Sequence, residues 1–132
     1  MKRLYFLTLP LTLLGPAPAC AVDDDPPAVC EPACTPFEPL FPEVGACVDG
    51  SCSPTFHACF ESDEYSTCRD QCEALGSTCV ADGCADGTYL IQSHLEQCED
   101  PAALGVVVSR TCDETIEFQG NTAARCCCEQ NP

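Results

Sequence analysis

The sequence predicts a small disulfide-rich fold: a short helix at about residues 67–75, cross-linked to a small antiparallel sheet, with a loop-rich N-terminal segment. Three observations carry that expectation. Fifteen of the 132 residues are cysteine, above the roughly 8–10 per cent at which a short exported chain reads as a disulfide scaffold. Beyond the first fourteen residues large apolar side chains are scarce, with no tryptophan in the chain and one methionine, the initiator, so cross-links must replace missing core. Finally, the cysteines fall at the spacings of regular structure, with Cys68 and Cys72 one helical turn apart and Cys126, Cys127 and Cys128 in a row.

The chain begins as an export signal would. Lys2 and Arg3 precede an apolar stretch from Leu4 to Leu14, and the small residues Gly15, Ala17 and Ala19 follow. The stretch is interrupted by Pro10 and is too short to cross a hydrocarbon layer of about 30 Å, so residues 1–19 read as a cleaved signal peptide. Cleavage has two readings. Ala17-Pro18-Ala19 and Ala19-Cys20-Ala21 both offer small-residue sites, whereas Ala-Pro-Ala-Cys resembles a degenerate lipobox, whose cysteine is acylated and becomes the new N-terminus. Parity bears on the choice, because fifteen cysteines cannot all pair, and an unpaired thiol is unusual outside the cell. Removing Cys20 by lipidation or cleavage leaves an even number. The acidic, proline-bearing residues 20–29 read as a tether, which an anchored protein needs, so lipidation at Cys20 is favoured.

Residues 30–59 form a proline-rich segment holding Cys30, Cys34, Cys47, Cys52 and Cys59. Proline fixes φ and removes a donor, so loops and at most short edge strands are expected there. The cysteine-free, acidic stretch 60–67 reads as a joint. Residues 68–132 then hold Cys68, Cys72, Cys79, Cys84, Cys98, Cys112, Cys126, Cys127 and Cys128. The two segments share a weak pattern: each opens on a pair of the Cys30/Cys34 and Cys68/Cys72 type. Each continues with two cysteines that have four residues between them, an Asp-Gly turn included, Cys47/Cys52 and Cys79/Cys84. A duplication is one explanation.

In the second segment, Cys68 to Leu75 reads as the helix. Thr67 or Ser66 can cap its first amides, Asp70 and Glu73 suit its early turns, and Gly76 can supply the left-handed stop. Two turns are marginal without tertiary support. Residues four apart share a helical face, so Cys68 and Cys72 point the same way. Residues 125–129 read as a strand, in which Cys126 and Cys128 share one face and Cys127 takes the other. A helix pair and a strand pair can then join through two adjacent bridges, Cys68 and Cys72 to Cys126 and Cys128. This spacing resembles the cysteine-stabilised helix and strand of defensins and scorpion toxins. The spacing of the other cysteines departs from that family, so the resemblance implies local geometry and no defensin activity. Residues 88–92, 105–111 and 115–118 read as short strands, and 90–98 is open to a second helix.

Chemistry is sparsely signalled. No two cysteines have the two-residue separation of a redox motif, and an exported chain oxidises before it binds metal through thiolates. His57 and His94 stand in different segments with no nucleophile motif nearby, and each reads as a surface or half-packed residue. Asp82 and Asp86, each followed by glycine, could give oxygens to a weak calcium site, but turn chemistry accounts for them. No catalytic residue, cofactor or metal is therefore expected. Without Lys2 and Arg3 the only cations are Arg69, Arg110 and Arg125, set against 21 acidic residues. Such a surface does not neutralise a phosphate backbone, so nucleic acid is not an expected partner.

The lipobox-like Ala-Pro-Ala-Cys, the Asp-Pro tether, the Cys-Thr-Pro-Phe opening and the closing Ala-Arg-Cys-Cys-Cys-Glu together resemble cysteine-rich lipoproteins of myxobacterial-type soil bacteria. That resemblance implies an envelope location and no particular activity. The expected function is a lipid-anchored, non-enzymatic binding or structural module of the cell envelope, with the membrane and an extracellular or envelope component as partners. A secreted disulfide-knot inhibitor or toxin-like effector is the alternative.

Overall fold

The computed structural model describes residue 15 and residues 29–130. The leader apart from Gly15, Cys20 and all but the last residue of the tether lie outside the described residues. The elements run β1 (Cys47–Val48), β2 (Ser51–Cys52), β3 (Thr55–Phe56), β4 (Phe60–Glu61), α1 (Cys68–Ala74), β5 (Tyr89–Gln92), α2 (Leu95–Glu99), β6 (Val106–Val108) and β7 (Ala123–Cys128).

Strand β7 organises the molecule. It pairs antiparallel with β5 on one side, from Tyr89 opposite Cys126 to Gln92 opposite Ala123, and with β3 and β4 as well. Strand β6 continues the sheet beyond β5. Side chains alternate across a strand, and here both faces are used. Cys126 and Cys128 join Phe60, Tyr89, Ile91 and Ile116 in a core beneath α1, whereas Cys127 and Leu90 join Val44, Phe56 and Cys84 in a second core on the opposite face. The proline-rich segment covers that second face, with Phe37 and Phe41 packed against it. Residues 55–61 thus belong to the main sheet, and Phe60, in the cysteine-free stretch, is almost wholly buried.

The helix forms where its caps are. The Thr67 side chain accepts a hydrogen bond from Asp70 N at 3.1 Å. At the other end Gly76 takes φ 70°, and its N–H donates to the Glu73 carbonyl while Ser77 N–H donates to that of Cys72. This pair of bonds is a Schellman stop, which uses the left-handed freedom of glycine. Seven residues would not hold as a helix alone. The bridges Cys68–Cys126 and Cys72–Cys128 fasten both of its turns to β7.

Residues 88–92 form β5 nearly as expected, but the run 105–111 is a strand only at Val106–Val108. The expected strand at 115–118 does not form. Thr115 makes one isolated bridge with Thr67, and Ile116 N–H donates to the Ser66 carbonyl. Arg69 N–H donates to the Cys112 carbonyl, which also keeps the run near the start of α1, and its apolar side chains go inward, with Ile116 buried and Phe118 edge-on to Phe60. Residues 90–98, open to either reading, contain both the end of β5 and most of α2.

In the first segment β1 and β2 form a hairpin across Asp49-Gly50, both at positive φ, as a type I′ turn requires. The bridges Cys30–Cys47 and Cys34–Cys52 tie it to the preceding loop. The two segments therefore share spacing but not wiring: the opening pair of the first bonds to its own hairpin, and that of the second to β7.

Candidate functional site

The remaining bridges are Cys59–Cys98 and Cys84–Cys127. Every cysteine among the described residues is thus bonded, so none offers a thiolate as nucleophile or ligand. The sulfurs of Cys30, Cys34 and Cys52 lie within 4.8 Å of one another, but they belong to two neighbouring bridges. Cys20 lies outside the described residues. Asp82 sits at φ 54°, and its carboxylate accepts from Ser109 Oγ at 2.6 Å. Its backbone N–H donates to Thr88 Oγ1, so the Asp82-Gly83 turn is tied into the fold by its own polar groups. His94 is exposed at the N-cap of α2.

The most distinctive chemistry lies on the face of β7 that carries Cys127. Arg125, two residues earlier on the same face, is half-buried. Its Nε and Nη2 both donate to the Cys98 carbonyl, at 3.1 and 2.6 Å, and Nη1 donates to the His57 carbonyl at 3.2 Å. Its Cζ lies 5.2 Å from the centroid of the Phe37 ring. The other two arginines are exposed and have carboxylate partners, Arg69 with Asp113 and Arg110 with Glu117. Arg125 has none among the described residues. Burial lowers its affinity for the proton, and nearby Glu99 partly offsets this; a guanidinium nevertheless stays charged at neutral pH.

This cation lines a groove of about 500 Å³ whose walls include Phe37, Phe56, His57 and Pro101, with Glu38 also in the lining. The groove is rigidly framed. Gln130 Nε2 donates to the carbonyls of Gly45 and Ser53 at 2.9 and 2.7 Å, and its Oε1 accepts from Thr35 N at 2.8 Å. Gly45, at φ 76°, is required there, because a Cβ would lie 2.2 Å from the Thr35 carbonyl oxygen. His57 Nε2 lies 3.2 Å from the Glu129 carbonyl; a carbonyl only accepts, so Nε2 carries the proton. Two features set this groove apart chemically: an aromatic residue, Phe37, beside the cation, and a partly desolvated guanidinium that has no carboxylate at ion-pair distance among the described residues, Glu99 acting on it from further away.

His57, expected either at the surface or half-packed, is half-buried, whereas Arg125 is expected from the sequence only as one of three cations. The available signal was its position, a lone cation inside an Ala-Ala-Arg-Cys-Cys-Cys run otherwise suited to burial.

No family model, curated protein or solved structure matches the chain. The fold itself defines the class: a small disulfide-rich domain with seven bridges among the described residues. Bridges in that number form and persist in an oxidising compartment, which places the protein outside the cytoplasm as a structural or binding module. Among the described residues, no helix is long and apolar enough to cross a membrane.

Proposed function

We propose that the protein is a binding module of the cell envelope, held at a membrane by a lipid on Cys20 and presenting the Arg125 groove to a partner outside. The observation that carries the binding reading is Arg125 itself. A half-buried cation with no carboxylate at ion-pair distance costs desolvation without full return, and such a group lining a concave site of mixed polar and apolar walls is what ligand recognition uses. The anchor is supported by the leader, by the lipobox-like residues before Cys20 and by cysteine parity: the fourteen cysteines beyond Cys20 are all paired. Two acyl chains on one residue make attachment durable, at about 0.8 kcal/mol per buried methylene.

Two experiments test this reading. Metabolic labelling with a radioactive fatty acid should tag the wild-type protein and not Cys20→Ala, and wild-type protein found unlabelled in the medium would remove the anchor. For the groove, a screen of small anionic, neutral and cationic compounds by amide chemical shift should show some compound moving Thr35, Phe37 and His57 together. A screen in which no compound moves them would remove the binding reading.

A further inference from the structure

We infer that the Arg125 groove recognises a carboxylate carried on an apolar or aromatic body; this rests on the groove being a binding site. A guanidinium has five N–H groups in a fixed plane. Nε and one N–H of Nη2 are spent on the Cys98 carbonyl, and one N–H of Nη1 on the His57 carbonyl. That leaves one N–H on each terminal nitrogen. Two free donors in one plane can both be met by the two oxygens of a carboxylate, whereas a single neutral acceptor would use only one.

The surroundings narrow the class further. Cys98 belongs to α2 and is bridged to Cys59, and His57 stands between β3 and β4, so the two carbonyls that orient Arg125 are themselves fixed. The Phe37 ring stacks near the guanidinium, and Phe37 and Phe56 meet edge-on at 5.4 Å between centroids. Phe56 is buried and backs Phe37, so an apolar or aromatic group attached to the carboxylate has the half-buried Phe37 ring and Pro101 to lie against. Net charge limits the number of anionic groups. The chain carries a formal charge of −16, and Glu38 lines the groove while Glu99 acts on Arg125, so each added negative charge on a ligand is opposed, and a single carboxylate paired to the guanidinium is opposed least. The same chemistry could come from a peptide C-terminus or from a free aromatic acid.

The probes are N-acetyl-Ala-Ala-Phe with a free carboxylate, its C-terminal amide, 3-phenylpropionate and inorganic phosphate, each titrated into the oxidised full chain in detergent and followed by ¹H–¹⁵N spectra. The acids should move Arg125 Nε and the Thr35, Phe37 and His57 amides, with the amide weaker by about tenfold or more, the usual effect of losing a charge-assisted pair. Phosphate should bind more weakly than either acid. Tighter binding of the peptide acid assigns the site to peptide termini, and tighter binding of phenylpropionate assigns it to free acids; both support the inference. Equal binding of acid and amide, or of phosphate and phenylpropionate, overturns it while leaving a binding groove. No shift at the groove from any probe up to about 10 mM, an affinity too weak to matter, overturns the inference and counts against the groove as well. Arg125→Lys keeps the charge and loses the planar fork, and should weaken the acids by about tenfold. The comparison of acid with amide needs no variant and so stands if that protein fails to fold.

Discussion

Arg125 on β7 and Phe37 in the proline-rich segment meet with the guanidinium carbon 5.2 Å from the ring centroid. This contact joins the two ends of the chain across the second face of the sheet. Because the cation is partly desolvated, the pair should be coupled by about 0.5–2 kcal/mol. A double-mutant cycle with Arg125→Met and Phe37→Leu, read by urea denaturation, should show destabilisation by the two variants together smaller than the sum of the two singles. Additive effects would mean that the ring and the cation do not interact.

Thr88 is fully buried, and its hydroxyl donates to the Arg110 carbonyl and accepts from Asp82 N at 3.0 Å. Thr88→Val keeps the shape and strands both backbone groups. Loss of such bonds in a buried setting costs about 1–3 kcal/mol. The variant should therefore unfold at lower denaturant concentration with an unchanged slope, and hydrogen exchange at Asp82 and Arg110 should accelerate. An unaltered midpoint would show that the Asp82-Gly83 turn does not depend on this hydroxyl.

Glu114 Oε2 accepts from Thr111 N at 2.6 Å. That backbone bond, then the Thr111 side chain, hold its carboxyl below the ordinary glutamate value against the opposing effect of burial, with the positive charge of Arg110 adding the least. A folded value below the unfolded one means that the stabilisation is present above the unfolded pKa, about 4.3, and is lost as pH falls through the folded value. The carboxyl carbon of Glu114 should titrate below the ordinary value by NMR. Wild type and Glu114→Gln should converge in stability at the acid end. A gap that widens as pH falls would reverse the assignment.

Reduction should unfold the domain. Each native bridge in a small exported fold contributes about 2–5 kcal/mol, and α1 has only Cys68, Gln71 and Cys72 buried to hold it in place otherwise. Circular dichroism and NMR dispersion of the fully reduced, alkylated protein should both collapse. Retained dispersion would show that packing alone specifies the fold.

Local spacing made part of this structure legible. The four-residue step from Cys68 to Cys72, the capping Thr67 and the stop at Gly76 mark α1, and the alternation of Cys126, Cys127 and Cys128 marks which sulfurs face it. What spacing could not show was non-local. Residues 115–118 have strand-like composition but are bound instead to the residues at the start of α1, Thr115 bridging Thr67 and Ile116 N–H donating to the Ser66 carbonyl. The proline-rich segment reads as loop, which it largely is, yet its phenylalanines form the cover of a second core. Arg125 is a single residue whose meaning depends on Cys98, His57 and Phe37, none of them near it in sequence.

The central claim is that β7 is bolted on both faces, with Cys126 and Cys128 to α1 and Cys127 to the opposite side. Partial reduction, stepwise alkylation and tandem mass spectrometry of the C-terminal peptide test it directly. The structure predicts Cys68–Cys126, Cys72–Cys128 and Cys84–Cys127. Cys127 found bonded to Cys68 or Cys72, or any bridge within the Cys126–Cys128 run, would contradict it.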